Sequence, residues 1–193
     1  MIPIQPILFS IPSIIYLVFQ QRLGESLGEI FTKIGWQGSR PVHYLWSLVV
    51  TLIIGALGWI VFRTVPAEIF GDPNINVDAY AGLKLNIVTF LYIWFREAIF
   101  VALGEEIFFR GFLGGLLYRR FGFTTGNIFQ AMVFLLPHLL LLTVSFNLWP
   151  LLVVQLVGGW LLGWLRMISG SILPGWLTHS IINALGALAV IGL

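Results

Sequence analysis

The stretch FVALGEEIFFRGFLGGLL, residues 100–117, places three full charges inside otherwise apolar sequence. Glu105, Glu106 and Arg110 have apolar runs on both sides. A charge at the centre of a membrane-spanning helix costs roughly 2.5–3.5 kcal/mol on insertion scales, so such residues usually face a cavity or a partner. The rest of the chain must therefore provide partners for these charges. The identity of those partners indicates both how the helices pack and which reaction the site could catalyse.

The composition is that of an integral membrane protein. Of the 193 residues, 59% are hydrophobic and 9% are charged, and the mean hydropathy is +0.97. An ordinary soluble domain is about 25% charged. A net charge of +2 provides no basic surface for nucleic acid, so we predict no nucleic-acid partner. The absence of cysteine excludes disulfides, thiol catalysis and zinc–thiolate sites.

The apolar runs predict an all-α, polytopic transmembrane helical bundle, since a spanning helix needs roughly 17–25 apolar residues. The six predicted spans are 2–19, 44–62, 97–118, 127–144, 150–165 and 174–191. Apolar and charged residues alternate with helical period over residues 22–36, which predicts an interfacial amphipathic helix. The apolar run 83–95, before Arg96, leaves two alternatives: a separate interfacial helix, or the start of a long, tilted third span.

The simplest organisation is one membrane domain over residues 1–193, with a motif-bearing core at 97–185. Basic residues divide unequally between the two sides of the membrane. One side has Arg22, Lys33, Arg40, Arg119, Arg120 and Arg166, and the other has Arg63, Lys84 and Arg96. The positive-inside rule then places loop 20–43 in the cytoplasm. We expect a multi-pass protein of the cell membrane with its charged site towards the cytoplasmic half.

The spacing of the three charges predicts different partners for the two glutamates. Glu106 and Arg110 are four residues apart and share one helix face, which suits an ion pair. Glu105 lies about 100° further round the helix, and its own i+4 residue is Phe109. We therefore predict a structural pair of Glu106 with Arg110, and a Glu105 that meets another helix.

Two histidines in other spans are candidates to meet Glu105. His138 follows Pro137, and His179 has Asn183 one turn further along the same face. Taken alone, each polar residue is explained equally well by helix–helix packing. Together, a carboxylate, two histidines and an amide on three helices supply a base, a proton carrier and hydrogen-bond donors. Hydrolysis requires these groups, whereas helix packing does not.

Three ordered motifs carry a family resemblance. They are EExxxR at Glu105–Arg110, FxxxH at Phe134–His138 and HxxxN at His179–Asn183. The set resembles the CAAX protease and bacteriocin-processing family, also called CPBP or Abi. These are intramembrane endopeptidases, related to the Ras-converting CAAX prenyl endopeptidases. The resemblance covers residues 97–185.

The resemblance implies a role for each motif residue. Glu105 would activate a water with the assistance of His138, and His179 and Asn183 would bind the oxyanion of the scissile carbonyl. Glu106 and Arg110 would hold the motif helix in place. The substrate implied is a membrane-associated protein or peptide in the lipid bilayer.

The resemblance leaves the role of a metal open, because the family is often classed with the metalloproteases. Glu105, His138 and His179 are the residues that would ligate a divalent ion such as zinc. The chain has no HExxH motif, and a glutamate-activated water needs no ion. We therefore expect no required cofactor and keep zinc as the alternative.

Two other classes of function remain as alternatives. Intramembrane Glu, His and Arg also line transport pathways, although the chain has no internal repeat and its polar residues cluster at one depth. A catalytically silent immunity or interaction protein is the other alternative. The intact motif residues count against it.

Overall fold

A computed structural model of the chain describes residues 4–71, 80 and 82–191, and every regular element in these ranges is helical. The helices are α1 (Ile4–Arg22), α2 (Leu27–Ile34), α3 (Pro41–Phe62), α4 (Ile87–Phe121), α5 (Phe123–His138), α6 (Leu141–Val144), α7 (Trp149–Ser169) and α8 (Leu173–Ile191). Short 3₁₀ turns occupy Ala67–Gly71 and Phe146–Leu148. The predicted all-α polytopic bundle is confirmed.

Five helical stretches are long and apolar enough to cross a membrane, and they correspond to the last five predicted spans. They are Pro41–Phe62, Ile87–Phe121, Phe123–Val144, Phe146–Ser169 and Leu173–Ile191. The first predicted span, 2–19, corresponds to α1; its residues 2 and 3 lie outside the described residues, and the apolar stretch that is described, Ile7–Arg22, is shorter than these five. The described part of the chain therefore has five candidate spans and one shorter apolar helix.

Helix α4 decides between the two alternatives for the run before Arg96. That run begins a helix of 35 residues, which continues through the charged motif to Phe121. Two segments of α4, Ala98–Ala102 and Glu106–Leu113, have the wider π-helical hydrogen bonding. Such π segments occur frequently at functional sites. The motif therefore lies in the middle of a long helix whose rotation per residue is not uniform.

Three prolines lie at or near the ends of helices. Pro137 lacks the backbone N–H of a helix interior, and α5 ends one residue later at His138. Pro150 and Pro174 lie in the first turns of α7 and α8, where a missing N–H costs nothing.

The amphipathic segment forms α2, a shorter helix than the 22–36 pattern. Ser26 caps its N-terminus in a reciprocal capping box with Glu29. Hydrogen bonds from the backbone and side chain of Ser26 lower the pKa of the exposed Glu29. Ile30 and Ile34, from the predicted apolar face, are buried. The helix ends at Gly35, whose φ of +73° favours glycine. Its position at the membrane interface stays a prediction.

Helices α5 and α7 pack closely because glycines of α7 face α5. A Cβ added to Gly163 would lie 1.8 Å from Asn127 Oδ1. Asn127 has little freedom to move, because its amide donates to the Trp160 carbonyl at 3.0 Å and accepts from the Tyr118 hydroxyl at 3.3 Å. Small residues at such contacts let helix backbones approach within the membrane.

Gly163→Ala should therefore destabilise the fold. The added methyl group overlaps a held side chain, and overpacking of this kind costs about 1–3 kcal/mol. Thermal unfolding in detergent micelles, followed by tryptophan fluorescence, measures the loss. Gly186→Ala on α8 is the matched control, because a Cβ there would meet nothing within 4 Å. Equal melting temperatures for both variants would contradict the prediction.

Candidate active site

The buried pair of Glu106 and Arg110 has the geometry that its spacing predicts. Arg110 Nη1 donates to Glu106 Oε1 at 2.8 Å, and both side chains are 0% exposed. The second Nη of Arg110 reaches the Gly159 carbonyl at 3.5 Å. Its guanidinium also lies over the Phe134 ring, 4.1 Å from the centroid. Arg110 thus joins α4 to both α5 and α7.

His179 of α8 lies between the two glutamates of the motif. Its Nε2 is 3.6 Å from Glu105 Oε2, so α8 is a helix that Glu105 meets. Its Nδ1 is 2.8 Å from Glu106 Oε1, a contact that the sequence did not predict. Because an ionised carboxylate only accepts, Nδ1 carries the hydrogen of this bond. Glu106 therefore accepts from both Arg110 and His179.

Hydrogen bonds to α3 and α4 fix the position of α8, and with it the position of His179. Ser47 of α3 hydrogen-bonds Thr178 at 2.8 Å, and Trp176 donates its indole N–H to an α4 backbone carbonyl at 2.8 Å. Gly175 lets α8 approach α4, because a Cβ there would lie 3.2 Å from Glu106 Oε2. The position of His179 is therefore fixed by its neighbours on both sides.

His138 joins the site across a shared aromatic ring. Its Nδ1 is 2.8 Å from the Phe134 carbonyl, which can only accept, so Nδ1 is the protonated nitrogen. In the neutral ring, Nε2 then keeps the lone pair. The Phe134 ring contacts His138 at 4.7 Å and the edge of His179 at 6.0 Å between centroids. The FxxxH motif thus places both histidines against one phenylalanine.

Asn183 has a partner that sequence reasoning missed. Its Nδ2 is 3.3 Å from Oε2 of Glu97, whose other oxygen accepts a hydrogen bond from the Tyr80 hydroxyl. The sequence analysis assigned no role to Glu97, the first residue of the predicted span 97–118. A carboxylate inside an apolar run, eight residues before Glu105, was the signal that could have identified it.

A cavity of about 1370 Å³ gives access to these residues from between α3, α4 and α8. The four predicted catalytic residues, Glu105, His138, His179 and Asn183, all line it. Most of its other walls are apolar, among them Trp59, Phe62 and Phe100. Small-molecule pockets are about 300–1,000 Å³, so this cavity has room for a peptide segment.

The described residues do not form an evident metal site. Within residues 4–71, 80 and 82–191, no three His, Asp or Glu side chains are grouped to hold one ion. His179 already uses Nδ1 for Glu106, and His138 uses Nδ1 for a backbone carbonyl. These bonds leave Nε2 of each ring as a possible ligand atom, as at metal sites where the other ring nitrogen donates to an oxygen, so the choice between zinc and no cofactor stays a prediction.

A comparison with protein families identifies the family of the chain. The model of the type II CAAX prenyl endopeptidase Rce1-like family matches residues 87–185, just over half of the 193 residues. The chain belongs to this family. No curated protein and no solved structure matches the chain.

The Rce1-like match contains all three motifs and runs from the start of α4 into α8. Membership makes the chain an intramembrane endopeptidase at the level of the family. The five apolar helices agree with a multi-pass membrane protein and with a membrane-associated substrate. The predicted recognition is confirmed.

Arg110→Met should destabilise the protein strongly. It leaves the Glu106 carboxylate buried without its cation, and breaking a buried pair in this way costs about 3–5 kcal/mol. Chemical or thermal unfolding in micelles measures the change.

The matched control for Arg110→Met is Lys33→Met, which removes the partly exposed ion pair between Lys33 and Glu25. Exposed pairs contribute about 0–1 kcal/mol, so this variant should unfold close to wild type. Similar small losses in the two variants would show that the buried pair does not hold α4, α5 and α7 together.

Proposed function

We propose that the chain hydrolyses a peptide bond of a membrane-associated protein or peptide, using a water activated by Glu105. One observation carries the proposal. The Glu105 carboxylate lines an open cavity beside His179 Nε2, while the opposite nitrogen of His179 is held by Glu106. A base, an orienting carboxylate and a place for a substrate therefore meet at one point.

The reaction requires one water and one proton carrier. Glu105 removes a proton from the water as the water oxygen attacks the scissile carbonyl carbon, and the carbonyl oxygen becomes an oxyanion. The carbon–nitrogen bond then breaks, and Glu105 returns the proton to the leaving nitrogen. The products are a carboxylic acid and an amine, so one water is consumed and Glu105 is regenerated.

His179 and Asn183 are the proposed donors to the oxyanion. They lie one turn apart on α8 and both line the cavity. Because His179 Nδ1 already donates to Glu106, donation from Nε2 as well requires the imidazolium form. In that form the formal charges of Glu105, Glu106, Arg110 and His179 sum to zero. A neutral set is what burial of several charges favours.

His138 is proposed to assist the water. The Phe134 carbonyl occupies its Nδ1, so Nε2 is the nitrogen left for a water in the cavity. A second hydrogen-bonding group orients the attacking oxygen, and proximity of this kind lowers the barrier. No step of this scheme passes through a metal.

The proposed substrate is a segment that enters the cavity from the bilayer. Apolar walls suit a lipid-modified or transmembrane segment, and the polar residues of the site lie where its peptide bond would be cut. The excess of basic residues in the loops supports the orientation of the bundle, and an active site towards the cytoplasmic half stays a prediction.

Glu105→Gln should abolish cleavage while leaving a folded, inserted protein. The substitution keeps the shape of the side chain and removes the base. Wild-type and variant chains are expressed in membranes, and newly formed peptide termini are compared by mass spectrometry. Termini that appear only with the wild type support the proposal and identify the substrate. Glu68→Gln, an exposed carboxylate in the Ala67–Gly71 turn, is the matched control.

Two further results of this experiment would contradict the scheme. Identical termini in wild type and Glu105→Gln, with both proteins folded, would favour a binding or transport function. Loss of the wild-type termini in a chelator arm would instead support the zinc alternative.

Asn183→Ala should slow the chemical step more than it weakens binding. Removal of one oxyanion donor lowers kcat by about 10²–10³-fold in other hydrolases. A fluorogenic peptide that spans an identified cleavage site separates kcat from KM. A raised KM with unchanged kcat would show that Asn183 contacts the substrate without stabilising the transition state.

A further inference from the structure

Glu97 is a partly buried carboxylate of α4 with two hydrogen-bond donors and no role in the scheme above. Its Oε2 accepts from Asn183 Nδ2 at 3.3 Å, and its Oε1 accepts from the Tyr80 hydroxyl. Glu97 also lines the same cavity as Glu105. It is thus joined to one of the proposed oxyanion donors and faces the site.

The π segment of α4 brings Glu97 and Glu105 to one side of the helix. A uniform α-helix turns about 100° per residue, so eight residues would leave these side chains about 80° apart. The π segment Ala98–Ala102 lies between them, and Leu103 N–H bonds the carbonyl five residues back, at Ala98. One additional residue in a turn sets the following residues back by about 100°, which reduces the offset to about 20°.

We infer that Glu97 is the positioning residue for the Asn183 amide. An ionised carboxylate only accepts hydrogen bonds, so Asn183 must present its nitrogen to Glu97 and not its oxygen. The same nitrogen carries a second hydrogen, which remains for a group in the cavity. A neutral partner at this place would accept either end of the amide, and the donor would then be correctly placed only part of the time.

The contact parallels the one that holds His179. Two carboxylates of α4, Glu106 and Glu97, each accept from one α8 residue, and these residues are a single turn apart. Each carboxylate also has a second donor, Arg110 for Glu106 and Tyr80 for Glu97. Both proposed oxyanion donors are thereby oriented from the same helix that carries Glu105.

Tyr80 is suited to hold Glu97 because it stays protonated. Burial, together with the hydrogen bond to Glu97, raises the pKa of the Tyr80 hydroxyl well above its ordinary value. The hydroxyl is therefore a donor throughout the physiological pH range. The Arg96 guanidinium lies over the Tyr80 ring, 5.0 Å from its centroid, and restricts that ring in turn.

The inference rests on the proposed function, and a double-mutant cycle measured by enzyme kinetics tests it. Glu97→Gln should lower kcat on a fluorogenic peptide that spans an identified cleavage site roughly 10- to 100-fold, as loss of orienting partners does at metal sites, with little change in KM. In an Asn183→Ala background the same substitution should cause no further loss, because the group that it positions is gone. Glu68→Gln is the control for loss of a carboxylate outside the site.

A second measurement does not depend on catalysis. The sequence has six asparagines, so selective ¹⁵N-asparagine labelling gives six side-chain amide signals, and Asn183→Ala identifies that of Asn183. Glu97→Gln should shift this signal and leave those of Asn127 and Asn147 in place. An unmoved Asn183 signal would overturn the proposed contact.

The outcomes separate failure of this inference from failure of the proposed function. Equal losses from Glu97→Gln with and without Asn183 would overturn the positioning role alone, since a general structural effect acts in both backgrounds. Absence of any cleavage by the wild type would overturn the proposed function and the kinetic role of Glu97 with it. In that case a shifted Asn183 signal would still support the hydrogen bond.

Discussion

The fold depends on the charge of Arg110, which is fully buried in the middle of an apolar helix. No solvent can stabilise a guanidinium there, so the protein must surround it with its own groups. Glu106 supplies the countercharge, Gly159 a carbonyl, and Phe134 the face of a ring. These groups come from three helices. If any one of these helices moved away, the Arg110 guanidinium would lose a contact inside the apolar interior. The contacts of Arg110 therefore favour a single packing arrangement of α4, α5 and α7.

The same constraint also determines where the chemistry can take place. Glu106 Oε1 accepts from both Arg110 and His179, and the bond to His179 helps to fix the face that α8 turns towards α4. Glu105, the next residue round the helix, then lies beside the opposite nitrogen of the same imidazole. The structural pair and the proposed catalytic base are thus neighbours for a physical reason: one histidine lies between the two carboxylates.

The sequence predicted one contact within α4 and missed two contacts between α4 and α8. Spacing of four residues predicted Glu106 with Arg110, and the apolar runs predicted the five long spans. Spacing could not reveal the two π segments of α4, because they arise from packing and have no residue signature. In a uniform helix that turns 100° per residue, Glu97 would lie off the face of Glu105. The Glu106–His179 contact was missed for another reason, since a carboxylate that satisfies one partner can still accept from a second.

Hydrolysis inside a membrane requires a water molecule to be held in an apolar surrounding. The cavity meets this requirement by bringing polar residues of α4, α5 and α8 together with walls that are mostly apolar. Electrostatic interactions are stronger in an apolar surrounding than in bulk water, so the donors proposed above would have a large effect on a developing oxyanion. The same low dielectric penalises any polar group without a partner. The groups that orient the site and the groups that stabilise it are consequently the same, and the residues that hold His179 and Asn183 serve the fold and the proposed reaction together.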